Sequence, residues 1–186
     1  MARSLPVDLR EGPLDVANDD ILSLTRRLAA GEELPEREAY LIVRAFRGGP
    51  NEGLQSAVER LVDHPIELVR QSALDALVNG ATAGEGHMVL ARRLLKDDPD
   101  SGTRAYAALA AATLAEKLHS RTPLADLISV LRNPDESQEV RLAAYAAILS
   151  IAGRRVANMP RIGDATWDPE QDVDWGLIQV LSEGAG

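Results

Sequence analysis

Apolar side chains recur every three or four positions through most of this chain, which is the spacing of an amphipathic α-helix. Proline, with aspartate or asparagine beside it, separates paired helices, because proline ends one helix and fits the first turn of the next. No segment alternates apolar and polar residues over the length of a strand, so the sequence predicts an all-α fold. The predicted helices of the three pairs span 53–62 and 66–78, 87–96 and 103–118, and 124–131 and 139–152.

Further segments flank these pairs on both sides. Residues 1–18 are polar and lack apolar periodicity, which is typical of an N-terminal arm. Apolar spacing over 19–47, interrupted once by proline, predicts a helical hairpin that would cover the first pair. Residues 154–186 form a C-terminal extension with a predicted helix at 173–181, and we expect its tryptophans to pack on the last pair. The helical region as a whole is predicted to span 19–153.

The second helix of each pair opens with one shared pattern, an arginine followed by alanine three and six positions later. The arginines are Arg70, Arg104 and Arg141, which are 34 and 37 residues apart. This spacing is typical of stacked structural repeats, here covering about 53–80, 86–119 and 123–153. A two-helix repeat cannot bury its apolar stripe alone, so neighbouring repeats would share one core. The first alanines of the pattern, expected where adjacent helices touch, are Ala73, Ala107 and Ala144.

This arrangement resembles the HEAT-repeat family, in particular the short bacterial HEAT-like repeats found in phycobilisome lyase-type proteins. The first helices end in Leu61-Val62-Asp63, Leu94-Leu95-Lys96-Asp97 and Val130-Leu131-Arg132-Asn133, and each is followed by a proline corner and the arginine–alanine helix. Thr103 departs from the usual valine, and Asn133 stands where the second repeat has Asp97. The resemblance implies a right-handed α-solenoid of about three HEAT-like pairs, with 20–47 as a degenerate extra repeat.

The repeated arginines have two alternative roles. We expect Arg70, Arg104 and Arg141 to bond to corner carboxylates such as Asp63 and Asp97, or to carbonyls at helix ends. Such bonds would form a structural ladder between repeats. A direct role in binding a ligand is the alternative.

A solenoid of this kind would expose its second helices on a concave side. Positions two, five and nine after each arginine are its candidate lining, small and mildly polar, which would let a helix or loop of another protein approach closely. The same positions after Arg141 include Ala143 and Ala146. The alternative is that these two alanines and Leu109 pack into the core instead of lining the concave side. The candidate partner-binding residues are Ser72, Asp75, Asn79, Tyr106, Leu109, Thr113 and Ser150.

Composition and charge narrow the class of partner. Of the 186 residues, 29 are acidic and 20 basic, and the net charge of −9 argues against nucleic-acid binding and suits a basic protein partner. Cysteine is absent, which removes disulfides, thiolate chemistry and cysteine-bound zinc. No apolar run is long enough to cross a membrane, and no secretory signal pattern is present, so we expect a cytoplasmic protein.

Residues that could carry chemistry are present but not grouped. His64, His87 and His119 each lack a second ligand at a metal-binding offset, so neither a metal nor a cofactor is expected. His64 lies in a proline corner and is interpreted as a solvated loop residue. Adjacent acids such as Asp97-Asp98 lie in turns, where solvation explains them better than a catalytic cleft does.

These observations favour a non-enzymatic scaffold that binds another protein through the concave face, as an adaptor or as an immunity- or antitoxin-like factor. A HEAT-like lyase or other ligand-handling enzyme is the first alternative, and a deep pocket with converging polar groups would identify it. Nucleic-acid binding is the second alternative, and it would need a continuous positive stripe. The oligomeric state stays open.

Overall fold

The computed structural model describes residues 18–49, 51–80, 83–154 and 166–183, and all regular secondary structure in these ranges is helical. The all-α prediction is therefore confirmed for the described part of the chain. No helix in these ranges is both long enough and apolar enough to span a bilayer. The helices are α1 Asn18–Ala29, α2 Glu36–Gly48, α3 Glu52–Leu61, α4 Glu67–Asn79, α5 Glu85–Asp97, α6 Ser101–Leu118, α7 Leu124–Arg132, α8 Gln138–Ile151, α9 Pro169–Asp172 and α10 Trp175–Glu183. Except for its last residue, the predicted N-terminal arm lies outside the described residues.

The even-numbered helices form one continuous row, in which α2 packs on α4, α4 on α6 and α6 on α8. Each of these four helices also packs on the odd-numbered helix that precedes it in the chain. Among the odd-numbered helices, α1 contacts α3 and α5 contacts α7. The hairpin of α1 and α2 thus joins the same arrangement as the three later pairs.

Small side chains allow the helices of the even row to approach closely. Ala73, Ala107 and Ala144, the first alanines of the repeated pattern, are all 0% exposed. Helix α6 is apolar around its circumference and lies between α4, α5 and α8, which is the environment expected for such a helix. One buried apolar cluster extends from α1 to α10.

Polar side chains in two of the corners cap the second helices α6 and α8. The Asp100 carboxylate accepts a hydrogen bond from the Thr103 N–H at 2.7 Å, and the Ser137 hydroxyl accepts one from the Val140 N–H at 3.3 Å. These N-caps satisfy backbone donors that have no partner within the helix. Helices α6 and α8 therefore begin one or two residues before their predicted starts at 103 and 139.

The C-terminal extension packs on the last helix pair. Helix α9 contacts α8, and α10 contacts α7. Trp167 is buried, and the Trp175 indole N–H donates a hydrogen bond to the Pro169 carbonyl at 3.1 Å. Helix α9 was not predicted, and α10 begins two residues after the predicted start at 173. Residues 155–165 and 184–186 of the predicted extension lie outside the described residues.

Candidate binding face

A set of polar contacts crosses the even row from helix to helix. Its centre is Asp75 of α4, whose Oδ2 accepts a hydrogen bond from Arg47 of α2 at 2.5 Å. Its Oδ1 accepts from Asn79 at 2.8 Å and from the hydroxyl of Tyr106 on α6. One carboxylate thereby joins three helices and holds an arginine and a tyrosine in fixed positions.

Tyr106 is the donor in its contact with Asp75. Burial raises the pKa of Tyr106, and the hydrogen bond to Asp75 and the charge of that carboxylate raise it further, against an opposing effect of Arg47. Tyr106 is therefore neutral at physiological pH and keeps the proton that it shares with Asp75. Nearby, burial also raises the pKa of Tyr40, whose hydroxyl bonds to Ser72.

Two further contacts connect the C-terminal ends of the even helices. The Lys117 ammonium of α6 donates a hydrogen bond to the Val78 carbonyl of α4 at 2.6 Å. The Ser150 hydroxyl of α8 donates to the Glu116 carboxylate of α6. These contacts extend the polar surface from α2 to α8. We call this surface the even-helix face and define it by Arg47, Ser72, Asp75, Asn79, Tyr106, Leu109, Thr113, Lys117 and Ser150.

The structure brings most of the predicted lining residues into these contacts. The exceptions are Thr113, whose hydroxyl donates to the Leu109 carbonyl on its own helix at 3.1 Å, and Leu109, which packs partly against the core. Ala143 of α8 is 0% exposed, so for this alanine the alternative of packing inside is confirmed, and it does not line the face. The predicted lining residues that do form contacts across or along the row are Ser72, Asp75, Asn79, Tyr106 and Ser150.

Arg47 and Lys117 were missed by the sequence analysis. The lining positions were chosen by their distance along the chain from the repeated arginines. Helix α2 has no such arginine, so no lining position was predicted there and Arg47 was not found. Lys117 lies thirteen positions after Arg104, beyond the three positions that were counted. Continuing the helical period by one more turn along α6 would have found it.

The repeated arginines connect successive corners. Arg70 donates to both oxygens of Asp98 at 2.7 Å, and its Nη1 donates to the His64 carbonyl at 2.8 Å. Arg104 repeats this geometry one pair later, with Glu136 at 2.7 and 3.0 Å and the Asp98 carbonyl at 2.7 Å. Each arginine therefore binds the backbone of its own corner and the carboxylate of the next.

The predicted carboxylates of this ladder differ from those observed. Asp98 takes the place expected for Asp97, which is exposed at the end of α5, and Asp63 pairs with Arg93 at 2.7 Å instead. Arg141 of the last pair donates to the Leu131 carbonyl at 2.9 Å. Its Nη2 also lies 3.7 Å from Glu170 Oε1 on α9.

The histidines serve the fold. His64 is 6% exposed, so its interpretation as a solvated loop residue was wrong. Its Nε2 donates to the Leu34 carbonyl at 2.8 Å and its Nδ1 accepts from the Ile66 N–H at 3.1 Å, which connects two corners. His87 is also buried, with Nε2 3.3 Å from Glu59 Oε1. No group of three or more potential metal ligands occurs in the described part of the chain.

The even-helix face can therefore offer preset hydrogen-bonding groups of both charges to a molecule that lies across it. No family model, no curated protein and no solved structure matches this chain.

Proposed function

We propose that the helix pairs are HEAT-like repeats of a right-handed α-solenoid and that the even-helix face is its concave side. The packing order of α2, α4, α6 and α8 supports this proposal. So does the ladder, because Arg70 and Arg104 make the same contacts one helix pair apart. Equivalent contacts at equivalent positions are expected when repeats stack with a constant geometry.

On this basis, the protein is a non-enzymatic scaffold that binds a partner protein across the even-helix face, as an adaptor or an immunity- or antitoxin-like factor. The observation that carries the proposal is the cluster of Arg47, Asp75 and Tyr106. Arginine and tyrosine are, with tryptophan, the residue types enriched at interface hot spots. Their side chains are already held by Asp75, so little conformational entropy would be lost on binding.

Charge favours a basic partner. The chain carries a net charge of −9. On the face, Asp75 neutralises Arg47, and the exposed Glu116 carboxylate that binds Ser150 offsets the charge of the adjacent Lys117. The side chains of this pair are 50% and 35% exposed, so both remain accessible to a partner. The acidic excess would speed the approach of a basic protein, and added salt would slow it.

The proposal is tested by affinity capture from the native source with the full chain as bait. An Asp75→Asn, Tyr106→Phe double variant removes the carboxylate and the hydroxyl, and Asp97→Asn is the matched control because Asp97 is an exposed acid away from the face. A specific partner should be recovered by the wild type and the control and reduced at least about tenfold by the double variant. Equal recovery by all three baits, or the absence of any partner, would contradict the proposal. Circular dichroism checks that each variant is folded.

A further inference from the structure

A groove of about 530 Å³ lies between the C-terminal half of α8 and helix α10. It lies outside the even-helix face, and its volume is within the range of sites that hold small ligands or short peptides. Leu149 of α8 and Leu177 and Val180 of α10 form its apolar lining. Val180 is 66% exposed, so a ligand in the groove would remove apolar surface from water.

Arg154 supplies a positive charge to the lining of this groove. Gly153 has a φ of +66°, and the Arg154 N–H donates to the Leu149 carbonyl at 2.8 Å, which is the Schellman arrangement at a helix C-terminus. The backbone of Arg154 is therefore fixed beside Leu149, while its side chain is exposed. No described residue forms an ion pair with its guanidinium, so the charge is available to an anionic ligand.

Tyr145 adds a buried hydroxyl to the groove. The side chain is 5% exposed, and its hydroxyl oxygen accepts a hydrogen bond from the Asp174 N–H at 3.1 Å. The hydroxyl proton has no acceptor among the described residues. The Tyr145 hydroxyl therefore accepts one hydrogen bond, and its own O–H can still donate one to a ligand.

Asp174 supplies the opposite polarity. Its Oδ1 accepts from the Leu177 N–H at 2.9 Å and so caps α10. The charge of the carboxylate is partly offset by its position at a helix N-terminus. No described residue donates to Oδ2, which leaves a carboxylate acceptor on a residue that lines the groove.

We propose that this groove binds the free C-terminus of a peptide that ends in an aliphatic residue. The terminal carboxylate would bind Arg154 and the Tyr145 hydroxyl, and a peptide N–H would donate to Asp174 Oδ2. The last side chain would lie against Leu177 and Val180. The groove thus offers a cation and a hydroxyl donor for the carboxylate, an acceptor for the peptide N–H and an apolar wall for the side chain. Capture of a terminal carboxylate is a recurring mode of peptide recognition. Nothing in this site depends on the even-helix face.

The test uses the full chain and a fluorescein-labelled peptide, Gly-Ser-Ala-Val-Leu, either with a free C-terminus or as the C-terminal amide. Fluorescence anisotropy should show saturable binding of the free acid and binding of the amide at least about tenfold weaker, the loss expected for a charge-assisted hydrogen bond. Arg154→Gln should weaken binding of the free acid similarly and abolish the difference between the two peptides. Arg121→Gln is the matched control, because Arg121 is an exposed arginine that lies just before α7 and does not line the groove.

A second variant tests the apolar wall. Val180→Glu changes an exposed residue, so it should leave the fold intact and prevent binding of the free acid. Equal affinity for acid and amide, an unchanged affinity of Arg154→Gln, or no peptide binding at millimolar concentration would each overturn the proposal. Saturable binding of decanoate in the absence of peptide binding would also overturn it, since the site would then recognise a fatty acid. The Asp75→Asn, Tyr106→Phe variant should bind the peptide normally, which separates this result from the test of the even-helix face.

Discussion

Arg70 and Asp98 form a two-pronged ion pair across the boundary between two helix pairs, with both hydrogen bonds at 2.7 Å. Their side chains are 8% and 1% exposed, so the pair is withdrawn from solvent. The remaining donors of Arg70 bind the His64 and Pro65 carbonyls at 2.8 and 3.0 Å. This arrangement satisfies nearly every polar atom of the pair, which is the condition under which a buried charge is tolerated.

Replacing Arg70 by alanine should lower the free energy of unfolding by about 3–5 kcal/mol, because Asp98 would stay buried without its partner. Urea unfolding followed by circular dichroism measures the change. Arg93→Ala is the matched control, since Arg93 pairs with Asp63 at 2.7 Å on the surface. That loss should be no more than about 1 kcal/mol. Similar losses in the two variants would show that burial of the Arg70 pair does not matter.

Glu136 should make stability depend on acid pH. Burial raises the pKa of Glu136, but the hydrogen bonds from Arg104 and Ser137 and the charge of Arg104 outweigh it, so the pKa in the folded protein is lowered from 4.5. A group with a lowered folded pKa contributes stability above its unfolded pKa, and this contribution is lost as pH falls through the folded pKa. The free energy of unfolding should therefore decrease below pH 4.5.

The variant Glu136→Gln should remove that part of the acid dependence. Urea unfolding from about pH 7 to about pH 3 measures it for wild type and variant. The adjacent Asp135→Asn is the control and should keep the wild-type slope, because the exposed Asp135 side chain forms no ion pair among the described residues. An identical slope in Glu136→Gln would argue against the ion pair with Arg104.

Enlarging the repeated alanines should separate the even helices. Ala107 is 0% exposed in α6, and a leucine there should lower the free energy of unfolding by about 1–3 kcal/mol through overpacking. Ala125→Leu on the exposed side of α7 is the control, with a change of about 0.5 kcal/mol or less. Chemical unfolding of both variants measures this. If Ala107→Leu were as stable as the wild type, the close packing of α6 described above would be incorrect.

His119 follows α6 with a φ of 51°, in the left-handed region that glycine adopts most readily. The substitution His119→Gly should raise the free energy of unfolding by up to about 1 kcal/mol, because it removes the steric cost of that conformation. Valine at the same position should lower it, since β-branched residues tolerate the region poorly. Thermal unfolding of the two variants measures both changes, and a lower melting temperature for the glycine variant would be inconsistent with the observed backbone.

Much of the fold followed from local signals. Apolar spacing and proline corners predicted every described helix except α9, and α6 and α8 begin earlier than predicted because Asp100 and Ser137 cap them. The helical period also placed Asp75 and Tyr106 in one register, and these two residues do meet across α4 and α6. The spacing of side chains along a helix is regular, so it predicts which residues of neighbouring helices lie on the same face.

The contacts at the corners could not be predicted in this way. Asp97 is the last residue of α5, whereas Asp98 leaves the helix with a ψ of 131°, and this change of backbone direction turns its side chain towards Arg70. His64 is buried where the loop before α2 places the Leu34 carbonyl 2.8 Å from its Nε2. The spacing of residues along the helices does not indicate either contact, because both depend on how two corners that are distant in the sequence meet.

The contact between Arg141 and Glu170 has a consequence for assembly. Arg70 and Arg104 take their carboxylates from the following corner, whereas Arg141 faces Glu170 of α9 at 3.7 Å. Helix α9 contacts α8, and its Glu170 faces Arg141 as the carboxylate of the following corner faces Arg70 and Arg104. A second molecule that extended the even row past α8 and offered a carboxylate to Arg141 would have to compete with Glu170, so α9 disfavours end-to-end growth through this arginine.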